Sequence, residues 1–534
     1  MTRPEGAPGV APRARTRGVL PLALPAVLAA LLAAMALLPS IRDTRACVWS
    51  FLGAAACLGA WNLWLCLGGA ARHRQLSLGV TLRPSHYVQA CAQGSVFLYW
   101  GWYWREIYAA APLIAGQLVF AYAFDMLLTW SRRDTYSLGF APFPVIFSIN
   151  LFLRFRDEWF YLQFLLVAIG FAAKELIRWE KDGRRVHIFN PSSFPLGLFS
   201  LVLILTGTSG MTWGQEIATT LNLPPHIYLW IFLIGLPGQL LFGVVTMTMS
   251  AVVTMYAFGV LYVAQFGSYY FVDSYIPIAV FLGMHLLFTD PSTAPRSELG
   301  RVLFGVCYAL GVIVLYDVLG RFGQPTFYDK LLAVPLLNLT IQGIDRAVRS
   351  GALRRFDLAA LAPRLEGRSR HLAFVGVWSV VFVALSGAKA VGDTHRGEWV
   401  PFQQQVCETG SGSSCRQFAV LVSGYCRAGS GWACNEYGIL VQPAIRPDVA
   451  ARAFDRACAL GFSTGCDNLK DGARASHAPP TEADYRIVLR GKKRRLPDLT
   501  PVELYQRACA QGFADGCRRA CELGDGESCP TGTP

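Results

Sequence analysis

Val186 to Leu196 reads VHIFNPSSFPL, and the reading of this stretch decides the fold. An Asn-Pro step, a second proline and two serine hydroxyls interrupt an otherwise apolar run where a polar, basic segment re-enters it. A second interruption of the same kind follows a hundred residues later, at Met284 to Pro295, MHLLFTDPSTAP. Lipid offers no partner to free backbone N–H and C=O groups. Irregular polar backbone in a membrane chain therefore persists only where protein buries it or where it lines a cavity. Two such breaks, each led by a histidine and each placing a polar residue directly before a proline, mark the candidate site: His187, Asn190, Pro191 and Ser192 in the first, Thr289 and Asp290 in the second.

Composition agrees with a membrane setting. The 534 residues are 53% hydrophobic and 16% charged, with mean hydropathy +0.37, whereas soluble globular chains carry about 25% charge. The formal net charge of +13 would suit nucleic acid in a soluble chain. Here the lysines and arginines cluster in short loops beside apolar runs, which is the pattern of membrane topology, so the expected partner is lipid and not nucleic acid.

Working outward, residues 1–18 form a basic, Pro- and Ala-rich arm expected to be disordered. Residues 19–86 hold two additional spans (19–38 and about 47–70) and a basic loop with Arg72, His73, Arg74 and Arg83. The core, 87–345, opens with a hairpin turning near Arg105 and Glu106. Spans follow near 141–154, 157–176, 194–209, 227–244, 247–266, 270–288, 302–319 and 331–344. A basic loop, 346–371, precedes a last span at 372–391, giving about thirteen spans by length and apolarity. The cluster YWGWYW, Tyr99 to Trp104, fits a membrane interface, with stacking on a cofactor as the sharper alternative. With the N-terminus cytoplasmic, the basic loops fall inside and residues 392–534 fall outside, in the periplasm of a bacterial inner-membrane protein. The fold class is all-α: a polytopic helical bundle with some broken helices, followed by a helical repeat domain.

The cysteines support that side independently. Of fifteen, ten lie after Val406 and form five pairs, each eight positions apart: Cys407/Cys415, Cys426/Cys434, Cys458/Cys466, Cys509/Cys517 and Cys521/Cys529. An even, regularly spaced set in a short domain reads as a disulfide framework in an oxidising compartment. Metal binding is the alternative, although zinc sites use closer cysteine pairs with histidine partners. The tail also repeats itself, ARAFDRACALGFSTGCDNL at 451–469 against VELYQRACAQGFADGCRRA at 502–520, as one helix end, a tight turn and the next helix start. Helical hairpins of this kind stack into solenoids. Ala457-Cys458, Gly461, Gly465-Cys466 and their counterparts Ala508-Cys509, Gly512, Gly516-Cys517 resemble Sel1-like, tetratricopeptide-related repeats. That resemblance implies that the two cysteines of a repeat bridge its helices. The first two cysteine pairs keep the spacing and little else of the motif. Lys492 to Arg495 is expected to be an exposed loop.

Over residues 80–345 the motifs HIFNPSSF, then GMTWG at 210–214, FTDPSTAP, Gly300-Arg301 and Gly305 resemble a family of membrane proteins. The family joins RnfD of the Rnf electron-transport complexes with NqrB of the sodium-pumping NADH:quinone oxidoreductase. Phe327 to Asp345, with Asn338 near its centre, resembles the family's closing segment. The resemblance implies flavin cofactors, FMN or riboflavin, one of them attached to an outer threonine in an S/T-G-A-T motif. This chain departs there: Thr219 and Thr220 follow Ala218 without a G-A-T, so a non-covalent flavin or a quinone-like ligand is the expectation. The implied function is that of a membrane component of an electron-transport system, coupled to ion movement. Two other classes stay open: a non-redox transporter or channel using the same broken-helix cavity, and a membrane-anchored scaffold whose periplasmic repeats bind other proteins. His226 and His285 have no ligand partners at helical spacing and read as structural. Glu175 and Glu180, beside lysines, read as solvated surface charge. There is no Walker loop, Rossmann fingerprint, nucleophile elbow or C-x-x-C pair.

Overall fold

The computed structural model describes the chain apart from residues 1–12, 18–19, 69–75, 182, 272–273, 351–352, 354–366, 411, 442–445, 471–474, 491–497 and 530–534. Arg72, His73, Arg74, Arg354, Arg355, Arg364 and the Lys492 to Arg495 run lie outside the described residues. The chain divides into two compact units, Met1–Met255 with Ile278–Ala384, and Tyr256–Pro277 with Leu385–Pro534.

Among the described residues, seven helices are long and apolar enough to cross a membrane: Arg45–Leu67, Glu106–Arg132, Asp157–Leu176, Val245–Phe266, Glu298–Arg321, Thr326–Arg349 and Ser369–Gly387. Each expected span carries a helix, but several are shorter than expected. Ala23–Met35 has 13 residues, Pro142–Phe152 has 11 and Ser193–Thr206 has 14. Among the described residues of the segment 270–288, helix runs only over Ile278–Leu286, nine residues. At 1.5 Å per residue such helices run only about 14–21 Å, less than the ~30 Å apolar core of a bilayer. Local chemistry explains the stops. Gly207, in the left-handed region at φ 67°, ends Ser193–Thr206, while Leu153 turns extended after Phe152.

Large apolar side chains point outward along the helices: Leu98, Leu205, Leu261, Val314 and Val380 are each more than half exposed. Inside the first unit, aromatic packing dominates. Phe51 stacks on Phe160 at 5.7 Å and meets Phe164 edge-on at 5.1 Å. A buried amide network completes this core, with Gln117 and Asn150 exchanging hydrogen bonds (3.1 and 2.8 Å) and Gln163 donating to Gln117 at 3.1 Å. The YWGWYW cluster splits between two environments: Trp100 and Trp104 are buried and 5.2 Å apart, and Trp102 is 65% exposed.

Two small sheets close one end of the helices. Arg13–Arg17, expected to belong to a disordered arm, pairs antiparallel with Ser77–Val80, which runs parallel to Thr135–Leu138. The hairpin Arg178–Lys181 and Arg184–His187 pairs Arg178 with His187 and Trp179 with Val186. Glu175, expected in solvent, is only 11% exposed and is held by Arg132, Arg133 and Arg178.

The second unit has its own core around Phe418, Val422, Trp432, Tyr485, Leu504 and Phe513. All five cysteine pairs form disulfides, Cys407–Cys415, Cys426–Cys434, Cys458–Cys466, Cys509–Cys517 and Cys521–Cys529, with Cα separations of 4.4 to 4.9 Å. The metal alternative for these cysteines is thereby replaced by covalent pairing. Four of the bridges join consecutive helices. Cys407 ends Val400–Glu408 and Cys415 lies in the first turn of Gly412–Arg427; Cys426 ends that helix and Cys434 lies in the first turn of Gly431–Val441. Cys458 closes Pro447–Ala459 and Cys466 opens Ser463–Lys470; Cys509 and Cys517 do the same for Pro501–Ala510 and Ala514–Glu522. The fifth differs from the helix-to-helix pattern. Cys521 ends Ala514–Glu522, but Cys529 follows only the short turn Gly526–Ser528 in extended backbone, so this bridge ties a helix end to the chain leaving it.

Glycine makes the repeat turns possible. Gly461 and Gly512 sit at φ 83° and 96°, a conformation that glycine reaches without penalty. Gly465 and Gly516 let the second helix start against the first, since a Cβ there would lie 2.5 and 2.6 Å from the Cβ atoms of Ala457 and Ala508. Capping boxes at Thr481/Asp484 and Thr500/Glu503 fix two further helix starts.

Candidate functional site

The two breaks meet. The 178–187 hairpin folds the chain back beside the end of helix Phe160–Leu176, with the Ile188 amide donating to the Ile177 carbonyl at 3.2 Å. The chain then turns at Asn190. Its Oδ1 accepts from the Ser192 amide (2.9 Å), the Ser192 hydroxyl (2.7 Å) and the Ser193 amide (3.2 Å). One side chain thus satisfies the amides that open Ser193–Thr206, as an Asn cap does at any helix start. Its Nδ2 donates to the Leu287 carbonyl of the other break at 3.0 Å.

That carbonyl needs a partner because helix Ile278–Leu286 stops inside protein. The Leu286 carbonyl is met by Gln89 and Gln93 at 3.4 Å each and by the Ser148 hydroxyl at 3.5 Å, so side chains from two other helices cap one helix end. The chain continues through Thr289, whose hydroxyl donates to the His285 carbonyl (3.1 Å), to Asp290, whose Oδ1 caps the Pro291–Thr293 turn through the Ser292 amide (2.9 Å).

Helix Asp329–Arg349 pins both breaks from one side. Asn338 accepts the Asn190 amide (3.1 Å) through Oδ1 and donates to the Thr293 carbonyl (3.5 Å) through Nδ2. Asp345 accepts the Arg296 amide at 3.1 Å. Two glycines permit this closeness. A Cβ at Gly170 would lie 2.4 Å from the Pro191 carbonyl oxygen, and one at Gly197 would lie 2.6 Å from Pro335.

His187 Nε2 and Asp290 Oδ2 stand 3.3 Å apart, with side chains 18% and 19% exposed. Burial pushes the Asp290 carboxyl up, but the hydrogen bond and charge of His187, together with Ser292, outweigh it and hold the group below its ordinary value of 3.8. Beside this pair opens a cleft of about 350 Å³ lined by Val186, Pro291, Ser292, Ala294, Pro295, Arg296 and Arg301.

The residues named from sequence fall into three sets. His187 and Asp290 are brought together across 103 positions and stay partly accessible. Asn190, Pro191, Ser192 and Thr289 are at the same junction, yet the polar groups of Asn190, Ser192 and Thr289 are consumed in building it. Thr219 and Thr220 lie beyond the other end of Ser193–Thr206, about 21 Å away along that helix. Their hydroxyls donate back to the carbonyls of Gln215 and Glu216. At that end the GMTWG loop crosses the segment after Phe152: the Arg156 amide donates to Met211 (2.9 Å), the Trp213 amide to Arg154 (2.8 Å), and Arg156 pairs with Glu216 at 2.5 Å.

Gln89, Gln93, Ser148 and Arg296 join the site only through the fold, with nothing in the sequence to mark them, and Arg301 is visible in the sequence only as part of the Gly300-Arg301 motif. His285 is buried among Phe232, Phe281 and Trp378, with Nδ1 2.8 Å from the Phe281 carbonyl. His226 takes a left-handed backbone (φ 56°) just before helix Ile227–Phe242. Among the described residues no group of three or more His, Cys, Asp or Glu could hold a metal ion. No family model, curated protein or solved structure matches this chain.

Proposed function

We propose that this chain is the membrane component of a redox system and holds a flavin-like cofactor, FMN or riboflavin, without a covalent bond. It passes electrons across or along the membrane, with ion movement coupled to that transfer. The observation that carries the reading is the junction itself. Two polar breaks far apart in sequence are locked together by Asn190 and Asn338 beside an open cleft, with a titratable pair, His187 and Asp290, at its edge. Helix ends that stop within a bundle aim backbone groups at a site, and a carboxylate–imidazole pair can pass a proton as charge moves nearby. Non-covalent binding is supported by the sequence around Thr219 and Thr220, which follow Ala218 without a G-A-T.

The proposed topology has a cytoplasmic N-terminus, about thirteen crossings that include the shorter helices, and a periplasmic tail. Its support is charge: Arg132, Arg133, Arg178, Arg296 and Arg301 gather at the ends of helices near the breaks. The test is spectroscopic. Protein purified from membranes should show flavin absorbance that bleaches on reduction, and absence of flavin, bound or released, overturns the proposal.

A second reading is a membrane anchor whose tail engages other proteins in the periplasm. The second unit's separate core and five staples favour it, because a stapled helical array presents a stable binding face.

A further inference from the structure

Arg154 lies at the end of the first unit where the GMTWG loop crosses the segment after Phe152. It is only 5% exposed. Its Nε is sealed from water without an acceptor, and among the described residues no hydrogen bond or ion pair engages the rest of the guanidinium. Its backbone is pinned instead. The Arg154 carbonyl accepts from the Trp213 amide at 2.8 Å, and the next amide, of Phe155, donates to Gln163 Oε1 at 3.0 Å. The Trp213 indole flanks the guanidinium, with its centroid 5.7 Å away, and Trp104 packs on Trp213 at 6.1 Å. Arg156 shares that indole at 4.3 Å but is already spent on Glu216 and the Gly210 carbonyl. A ring face offsets part of the cost of burying a guanidinium; the remainder calls for an acceptor.

The acids nearby are unmatched in the opposite sense. Asp157 and Glu106 are near enough to act on the charge of Arg154, and Glu158 acts on Asp157. Among the described residues none of the three pairs with a cation; Asp157 is half-buried, and Glu106 and Glu158 are exposed. A buried cation without an anion thus lies beside carboxylates without cations, too far apart to satisfy each other directly. A simple anion would suit Arg154 and be repelled by the acids, whereas a headgroup carrying both phosphate and amine suits both. The level in the membrane agrees. Trp102, Trp159 and Tyr161 are 65%, 40% and 49% exposed at this end, as rings are where a bilayer meets water and headgroups lie. We infer that Arg154 and Asp157, with Glu106 and Glu158 at the rim, bind the headgroup of one phosphatidylethanolamine, its phosphodiester on the guanidinium and its ammonium on the carboxylates. The guanidinium fork matches two phosphate oxygens. The site rests on the membrane reading and not on the redox one.

The test uses full-length protein in detergent, stripped of lipid and titrated with phosphatidylethanolamine, phosphatidylglycerol or phosphatidylcholine while melting is followed. Phosphatidylethanolamine should stabilise saturably and bind about tenfold tighter than the other two, since one lacks the amine and the other cannot donate a hydrogen bond from it. Arg154→Gln should abolish the saturable stabilisation. Without lipid it should melt no lower than wild type, because it removes an unpaired buried charge. Asp157→Asn should still bind lipid but lose the preference for phosphatidylethanolamine over phosphatidylglycerol. If Arg154→Gln fails to fold, the headgroup ranking in wild type and in Asp157→Asn decides. Inorganic phosphate that stabilises as well as phosphatidylethanolamine overturns the headgroup site, and so does equal binding of the three lipids. Flavin content should be the same in wild type and both variants, so the redox reading stands or falls separately.

Discussion

The two units reverse their helices by opposite means. In the first, the chain turns at Asn190 and Asp290, and the turns are held by side chains reaching from other helices: Asn338 to Asn190, Gln89 and Gln93 to Leu286. In the second, four of the turns between helices are held locally by a cysteine bridge of eight-residue separation and, in the two repeats, by a glycine with positive φ, although Asp484 also reaches the turn before Gly431–Val441 from another helix, accepting from the Ser430 hydroxyl at 2.7 Å and the Trp432 amide at 3.1 Å. The difference follows from what surrounds each turn. A helix end inside a bundle must find polar partners from protein because lipid gives none, so its partners are distant in sequence. A helix end in a small stapled domain can be satisfied by water, and what it lacks is core, which a disulfide offsets.

The largest effect should come from breaking the first kind of turn. Asn190→Ala orphans the Leu287 carbonyl and the Ser192 and Ser193 amides at once. At roughly 1 kcal/mol each the loss is about 3 kcal/mol, the low end for buried groups because a membrane-embedded unfolded state also finds partners. Thermal melting of the purified protein should fall clearly, whereas Asn190→Asp, which keeps the capping oxygen, should lose less. Equal melting of Asn190→Ala and wild type would mean that the junction is not what holds the breaks together.

That asymmetry also accounts for what is legible in the sequence. Asn-Pro and Asp-Pro steps interrupt an apolar run and are visible by contrast; so are cysteines at one repeated spacing. Gln89, Gln93 and Ser148 give no such contrast, since their partner is a carbonyl nearly two hundred residues away for the glutamines and 138 for the serine. Arg301 reads only as part of a Gly-Arg motif, because its role depends on Glu298 and on a cleft formed by folding. Helix lengths read from hydropathy come out too long for a related reason: the aromatic and aliphatic residues of 270–277 outweigh Asp273, Ser274 and Pro277 in the average, while among the described residues helix begins only at Ile278. Apolar composition reports environment and not conformation.

The second kind of turn should yield less per site. Replacing Cys458 and Cys466 together by serine removes one short loop constraint, worth about 2.5 kcal/mol, and reductant should act on the tail in the same direction without touching the Asn190 junction. Mass spectrometry of the unreduced protein should find no free thiol among the ten tail cysteines. Free thiols in most of them would remove the basis of the comparison. Gly512→Ala, forced to keep φ near 96°, should cost about 1–2 kcal/mol and leave the adjacent Cys509–Cys517 bridge intact by the same measurement.

The smallest effect sharpens the comparison, because it concerns a place where the tail does use a distant side chain. His477 Nδ1 lies 2.7 Å from Glu436 Oε2, with Glu436 2% and His477 61% exposed. The hydrogen bond to Glu436 raises the imidazole above its ordinary 6.5; partial burial opposes this and the carboxylate's charge adds to it. A folded-state value above the unfolded one means that the pair's contribution is complete below pH 6.5 and is lost as pH rises through the raised value. Solvent around His477 screens the pair, so the change should stay below about 1 kcal/mol. Tail melting followed across that window should decline slightly toward alkaline pH in the wild type and be flatter in His477→Gln. An identical decline in both would show that this pair adds nothing measurable, leaving the buried contacts of Asp484 with Ser430 and Trp432 as the tail's long-range polar links.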